Sequence, residues 1–183
     1  MRPIGTLHLQ PALDRPDLLA PPVAEALRAW HGKVDTSQFQ VAEIDPNVAD
    51  TAAFCATYDV PLDQSANCVI IAGRRGGETR YAACVVLATT RADVNGLTRR
   101  RLEARKASFA PMESAVSETG MEYGGITPVG LPETWPILVD AKVAEAGPVV
   151  IGSGLRRSKL VVPGEVLTTI PGAEVHDGLG IPA

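Results

Sequence analysis

The sequence predicts a mixed α/β fold in which helices surround a central, partly closed β-sheet. β-rich runs such as NCVIIAG and RYAACVVLA alternate irregularly with helical segments such as VAEALRAW. The paired glycines of RRGGET, between the two β-rich runs, predict a hairpin, and a hairpin favours a mixed sheet over a doubly wound parallel one. The length of 183 residues fits one domain. We expect a proline-rich, irregular extension over residues 1–20 and a single domain over residues 21–183.

The elements before the hairpin follow from local spacing. PPVAEALRAWHG predicts a first helix, with Pro22 in its first turn and Gly32 as its stop. SQFQVAEID alternates Phe39 and Val41 as a strand does. PNVADTAAFCATYDV is rich in alanine and predicts a second helix that ends near Val60.

The elements after the hairpin are two helices, three strands and a final short helix. NGLTRRRLEARKAS and PMESAVSETG predict the helices, the second of which begins near Pro111 and ends at Gly120. WPILVD, GPVVIGSG and SKLVVPG predict short strands. GEVLTTIPG predicts the last helix, and a polar tail is expected to follow it.

Composition and charge limit the compartment and the partners. The net charge of -4 argues against a protein that coats nucleic acid, so any polyanion has to be met by a local basic patch. Cys55, Cys68 and Cys84 are odd in number and lack CxxC spacing, which predicts buried thiols in a reducing compartment. No signal peptide or membrane span is apparent. The sequence therefore predicts a cytoplasmic protein with no membrane partner.

Several common catalytic patterns are missing from the sequence. His8, His31 and His176 are scattered and no HExxH motif is present, so no metal site or cofactor is expected. No GxSxG motif supports a serine esterase. GSGLRR begins like a dinucleotide fingerprint but has Arg157 where the third glycine should stand.

Two glycine-rich loops and two basic clusters remain as candidate functional features. YGGITPVG, residues 123–130, combines glycines with a proline, which suits either an ordinary turn or a stiff loop that presents peptide N–H groups to a ligand. GSG, residues 152–154, is the second loop, and a basic cluster of Arg156, Arg157 and Lys159 follows it. In the predicted helix after Asn95, Arg101 and Arg105 stand one turn apart and form either a phosphate-binding stripe or a solvated face.

Taken in order, GGITPVG, ILVD and VVIGSGLRRSKLVVPGEVLTTIPGAEVHDGL resemble the YbaK/EbsC/ProX family, free-standing relatives of the editing domain inserted in bacterial prolyl-tRNA synthetases. The resemblance runs from Val41 to Leu179. It implies a barrel-like mixed sheet and hydrolysis of the ester that joins a wrong, small amino acid (Ala, Cys or Ser) to tRNA. In this family the loop at residues 124–128 holds the aminoacyl end of the tRNA through its backbone, and a substrate ribose hydroxyl assists water.

One position departs from the family pattern. Asn67 stands at the start of the central strand, where the family carries a lysine that is important for binding the tRNA terminus and for activity. With a neutral amide at this position, a charge-assisted hydrogen bond of about 1.5–3 kcal/mol is replaced by a neutral hydrogen bond of about 0.5–1.5 kcal/mol. The resemblance thus implies an altered site, in which Lys106 or Arg156 is a candidate replacement cation. Asn67→Lys is expected to raise deacylation.

The predicted site and partners follow from these observations. We expect the loop at residues 124–130 to lie beside the loop at residues 152–154 and to line one pocket with Asn67. The predicted catalytic residues are Asn67, Gly124 and Gly125; the predicted substrate-binding residues are Ile126, Thr127, Pro128, Gly130, Gly152, Ser153 and Gly154; and the predicted tRNA-binding residues are Arg101, Arg105, Lys106 and Arg156. The expected partners are aminoacyl-tRNA and a synthetase, with no DNA partner. The alternatives are a non-catalytic module that binds tRNA, a nucleotide or a synthetase, and a hydrolase of small free esters.

Overall fold

The computed structural model describes residues 3–30 and 34–183. The strands are β1 (Gln10–Pro11), β2 (Gln40–Glu43), β3 (Ala66–Arg75), β4 (Glu78–Leu87), β5 (Thr90–Ala92), β6 (Lys106–Phe109), β7 (Ile137–Asp140), β8 (Pro148–Gly152), β9 (Ser158–Pro163), β10 (Ala173–His176) and β11 (Gly180–Pro182). The α-helices are α1 (Pro21–Trp30), α2 (Thr51–Tyr58), α3 (Arg99–Arg101), α4 (Met112–Thr119), α5 (Ala141–Glu145) and α6 (Gly164–Leu167). Neither described range contains a helix with the length and hydropathy needed to cross a bilayer.

The described strands form two larger sheets and one strand pair. The first sheet has the order β1-β2-β9-β8, the second β10-β7-β4-β3-β6, and β11 pairs with β5. β7 runs parallel to both β4 and β10, whereas β3 and β4 form an antiparallel hairpin. The predicted mixed α/β class is therefore confirmed. The two larger sheets are joined by a parallel bridge between Ser65 and Val150, without a closed barrel among the described strands.

β4 is apolar from Ala82 to Leu87 because both of its faces are buried there. Ala83 and Val85 face the main core with α1 and the first sheet, whereas Cys84 and Val86 face a smaller core that includes Leu179. A strand covered on both faces loses the alternation of a half-exposed strand. A third cluster, which contains Phe54, packs α2 against the outer face of the first sheet.

The structure departs from the predicted elements at two places. The predicted basic helix ends at Arg101, Glu103 adopts a positive φ of 53°, and β6 begins at Lys106 by pairing with the edge of β3. The prediction that Arg105 lies one helical turn from Arg101 is therefore wrong. The predicted polar tail instead contributes β10 and β11 to sheets. Both errors arise because strand pairing with distant residues overrides local propensity.

Most of the segment predicted as an extension over residues 1–20 is described, and residues 3–20 pack against the rest of the chain. Ile4, Leu18 and Leu19 are buried, and Gln10 and Pro11 form β1 beside β2. The first helix lies where it was predicted, while its expected stop, Gly32, and His31 lie outside the described residues.

Candidate functional site

The two glycine loops lie against each other, as the sequence led us to expect. The Gly154 N–H donates to the Gly125 carbonyl oxygen at 2.7 Å. A Cβ on Gly152 would lie within 2.4 Å of the same oxygen, and one on Gly125 would lie within 2.7 Å of the Leu155 backbone. At these two positions glycine is needed because one main chain packs directly on another.

A cavity of about 350 Å³ opens beside the two loops, and Asn67, Gly124, Ile126, Gly152 and Lys159 contribute to its wall. It occupies the place where the two larger sheets diverge. β3 leaves the first sheet after the bridge at Ser65 and pairs with β6 only from Ile71 onward. Between these points one edge of β3 has no strand partner in the described chain and faces the cavity. The fold therefore creates a pocket lined by main chain as well as by side chains.

Asn67 projects a hydrogen-bonding amide into this pocket. Its Oδ1 accepts a hydrogen bond from Thr51 Oγ1 at 2.6 Å. Within residues 3–30 and 34–183 its Nδ2 has no hydrogen-bond partner. Asn67 can therefore still donate to a ligand, although it carries no charge.

Lys159, on β9, is the buried cation of the pocket. The sequence pointed to it as part of the basic cluster after the second glycine loop, but it was not among the predicted site residues. It is 8% exposed, its Nζ donates to the Ala49 carbonyl oxygen at 3.1 Å, and it lies 5.2 Å from the centroid of the Phe54 ring. Burial lowers the pKa of Lys159 to about 8, and the charge of Arg156 acts in the same direction. One protein hydrogen bond leaves two of the three ammonium donors available.

A sequence signal for Lys159 does exist. The lysine lies within the apolar run of β9, in which five of the six residues are buried. Burying an ammonium is costly, so a lysine inside an apolar strand is a candidate functional residue. The signal is ambiguous in the sequence because a lysine at an exposed position of a half-buried strand gives the same letters.

The first glycine loop offers unpaired peptide N–H groups beside the pocket. The Gly125 N–H donates to the Glu122 carbonyl oxygen at 2.9 Å and is therefore already occupied. The N–H groups of Gly124 and Ile126 have no hydrogen-bond partner in the described part of the chain, and both residues line the pocket. These two groups are available as main-chain donors to a ligand.

Arg156 lies at the mouth of the pocket. Its Nη1 donates to the Tyr123 carbonyl oxygen at 3.1 Å and its Nη2 to the Pro46 carbonyl oxygen at 3.0 Å. A Cβ on Gly124 would lie 2.3 Å from Nη1. The guanidinium therefore crosses over Gly124 and ties this loop to the segment that precedes α2.

The other predicted substrate-binding residues do not line this pocket. Thr127 is fully buried, and its Oγ1 has no hydrogen-bond partner among the described residues. Pro128 and Gly130 line a different, mainly apolar cavity beside α1. Ser153 is fully buried and hydrogen-bonded to Ser158 at 2.7 Å, and Gly154 is buried.

The predicted tRNA-binding residues lie at three separate places. Arg101 forms an ion pair with Glu174 at 2.6 Å in a third cavity. Arg105 and Lys106 lie at the tip of the β3–β4 hairpin. Arg156 alone is close to the pocket. No group of three or more His, Cys, Asp or Glu side chains suited to a metal ion occurs in the described ranges.

The comparisons with known proteins agree with this architecture. Residues 45–170 match the family model of the aminoacyl-tRNA editing domain. No curated protein matches the chain. Three solved structures are similar over 87% of this chain at 19% identity: a hypothetical protein (TM-score 0.73, 99% of that chain covered), a protein provisionally described as a trans-editing enzyme for prolyl-tRNA synthetase (0.69, 97%), and one from a study of epitope grafting onto scaffold proteins (0.70, 97%). At this identity the structural likeness establishes the fold alone.

Proposed function

The chain belongs to the aminoacyl-tRNA editing domain family, of the YbaK type, and from this premise we propose that it is a trans-editing deacylase. Its proposed substrate is a tRNA mischarged with a small amino acid such as Ala, Cys or Ser. An editing pocket that admits only the small error supplies the discrimination that a synthetase pocket cannot reach alone.

One observation carries this proposal: the pocket combines a buried ammonium with unpaired main-chain donors. Lys159 supplies the charge, and Gly124 and Ile126 supply the N–H groups. Such groups stabilise the negative charge that develops on an ester carbonyl, and they need little reorganisation when the charge appears. The altered site, with Asn67 where the family carries lysine, thus has a cation on the facing strand.

The reaction needs no nucleophilic side chain. The oxygen of a water molecule attacks the acyl carbon, and the carbonyl oxygen becomes an oxyanion that accepts hydrogen bonds from the donors at Gly124 and Ile126. The bond to the ribose oxygen then breaks, the ribose oxygen takes up the proton released by water, and free amino acid and deacylated tRNA are the products. In this scheme Asn67 Nδ2 positions the substrate terminus, and the charge of the Lys159 ammonium adds to the stabilisation of the oxyanion.

A deacylation assay with Ala-, Cys- and Ser-tRNA tests the proposal. We expect hydrolysis of at least one of the three above the spontaneous rate, and little hydrolysis of a tRNA that carries a bulky amino acid. A protein that binds these tRNAs but hydrolyses none would support the non-catalytic binding module instead. Hydrolysis of small free esters with equal efficiency would support a general esterase.

A further inference from the structure

Exposed apolar side chains are concentrated in one segment, residues 109–123, which contributes Phe109 and Tyr123 to the wall of the pocket. Among the described residues, six large apolar side chains are exposed, and four of them belong to one segment: Phe109, Met112, Val116 and Tyr123. Leu62 and Val175, the other two, lie elsewhere in the chain. Apolar side chains that are exposed together in one short segment beside a cavity mark a candidate interaction site.

The two aromatic members of this segment both line the pocket. The chain has eight aromatic residues, and Phe109 and Tyr123 are the exposed ones, at 62% and 52%. Phe109 ends β6, and Tyr123 directly precedes Gly124 of the first glycine loop. Each ring is therefore presented to solvent by a part of the fold that is fixed by strand pairing or loop packing.

A cationic surface lies at the opposite end of β6. Arg74, Arg75, Arg105 and Lys106 line a depression at the tip of the β3–β4 hairpin, and all four are exposed. Lys106 is paired in register with Arg74, three residues from Phe109 and about 10 Å away along the strand. Glu78 is the carboxylate at this tip, so cations predominate. On a chain with a net charge of -4, such a cluster is a local site for a polyanion.

We propose that Phe109 and Tyr123 form a stacking platform for the unpaired bases at the 3′ end of tRNA, and that the hairpin tip binds the backbone phosphates behind them. Aromatic rings beside a basic groove are the usual means of holding single-stranded nucleic acid, because rings stack on bases and cations neutralise phosphates. The platform would place the terminal ribose over the pocket. This inference rests on the proposed function for its ligand, and it assigns residues that the family match does not.

Binding of uncharged tRNA, measured without any hydrolysis, tests the platform. Phe109→Ala and Tyr123→Ala should each weaken binding of intact tRNA about 5- to 100-fold. Both should leave unchanged the weaker binding of a tRNA trimmed of its three 3′-terminal nucleotides. Phe109→Trp should retain binding because it keeps a stacking face. Val175→Ala removes an equally exposed apolar side chain away from the pocket and should change nothing.

The salt dependence of tRNA binding distinguishes the aromatic platform from the cationic hairpin tip. Arg74→Ala combined with Lys106→Ala should reduce the slope of log affinity against log salt by about two, whereas Phe109→Ala should leave the slope unchanged.

Wild-type affinity of Phe109→Ala and Tyr123→Ala for intact tRNA would overturn the platform. Unchanged tRNA binding together with lost binding to purified prolyl-tRNA synthetase would assign the patch to a protein partner and would also overturn it. If stacking is confirmed but no mischarged tRNA is hydrolysed, the deacylase proposal alone fails.

Discussion

The pocket and the hairpin tip both contain glycines and cationic side chains, yet the two regions use these residues differently. At the tip, Gly76 and Gly77 have positive φ values of 57° and 83°, and no atom would contact a Cβ within 4 Å. In the pocket, a Cβ on Gly152 would overlap a neighbouring main chain. The cations differ in the same way, because those of the tip are exposed whereas Lys159 is buried. At the tip, glycine permits a turn with positive φ and the cations face solvent. In the pocket, glycine permits two main chains to pack closely and the cation is buried.

The largest expected effect comes from removing the buried charge. Lys159→Gln should reduce the deacylation rate constant about 100-fold at pH 7, since loss of a preorganised group that stabilises an oxyanion typically costs 10²–10³. Lys142→Gln, which removes an exposed lysine on α5, is the matched control and should leave the rate unchanged. Single-turnover kinetics on the preferred mischarged tRNA measure both variants.

The pH profile distinguishes a charged role for Lys159 from a structural one. The pKa of Lys159 is lowered to about 8, so its charge is lost as the pH rises through that value. After subtraction of spontaneous hydrolysis, the rate of the unmodified protein should fall above pH 8, and the Lys159→Gln variant should not show this step. A rate that rises through pH 8 would show that the neutral amine acts as a base, contrary to the proposal.

The second-largest expected effect is a loss of stability when a glycine of the pocket is replaced by alanine. Gly152→Ala forces a methyl group to 2.4 Å from the Gly125 oxygen and should lower the free energy of unfolding by about 3 kcal/mol. Gly77→Ala meets no neighbouring atom and should cost about 1 kcal/mol, because only its positive φ is disfavoured. Urea denaturation of both variants gives these values. Equal losses would remove the distinction between packing glycines and turn glycines.

Sequence patterns predicted the elements that are determined locally. The β3–β4 hairpin and α4 were found because turn glycines and the left-handed cap at Gly120, with a φ of 67°, leave clear signals. β6 and β10 were missed because each is formed by pairing with a strand far away in sequence. Lys159 was noted in a basic cluster but was not assigned to the site, for a related reason. Its burial depends on α2 covering the outer face of the first sheet, and no local pattern shows which helix covers which strand.

A third, smaller effect tests whether Lys159 is retained at a cost in stability. Burial disfavours the ammonium, so Lys159→Met should raise the free energy of unfolding by about 1–3 kcal/mol at pH 7. Between pH 8 and 10.5 Lys159 is still protonated in the unfolded chain but not in the folded protein. The contribution of Lys159 to the free energy of unfolding of the unmodified protein therefore becomes more favourable as the pH rises through this range. The advantage of Lys159→Met should be complete below pH 8 and vanish toward pH 10.5. Denaturation curves at pH 7 and 10 check this, and an equal advantage at both would point to packing instead.

The smallest expected effect moves the charge from one strand to the other. Asn67 and Lys159 line the same pocket from β3 and β9, so Asn67→Lys in the Lys159→Gln background returns an ammonium to the site. The deacylation rate of this double variant should be about tenfold higher than that of Lys159→Gln. This factor corresponds to the difference between a neutral and a charge-assisted hydrogen bond. In the protein that retains Lys159, Asn67→Lys should raise the deacylation rate by a smaller factor, because a second ammonium lies near the first and each disfavours the charge of the other. The same kinetic assay compares the four proteins, and a double variant no faster than Lys159→Gln would show that the site needs the ammonium on β9 itself.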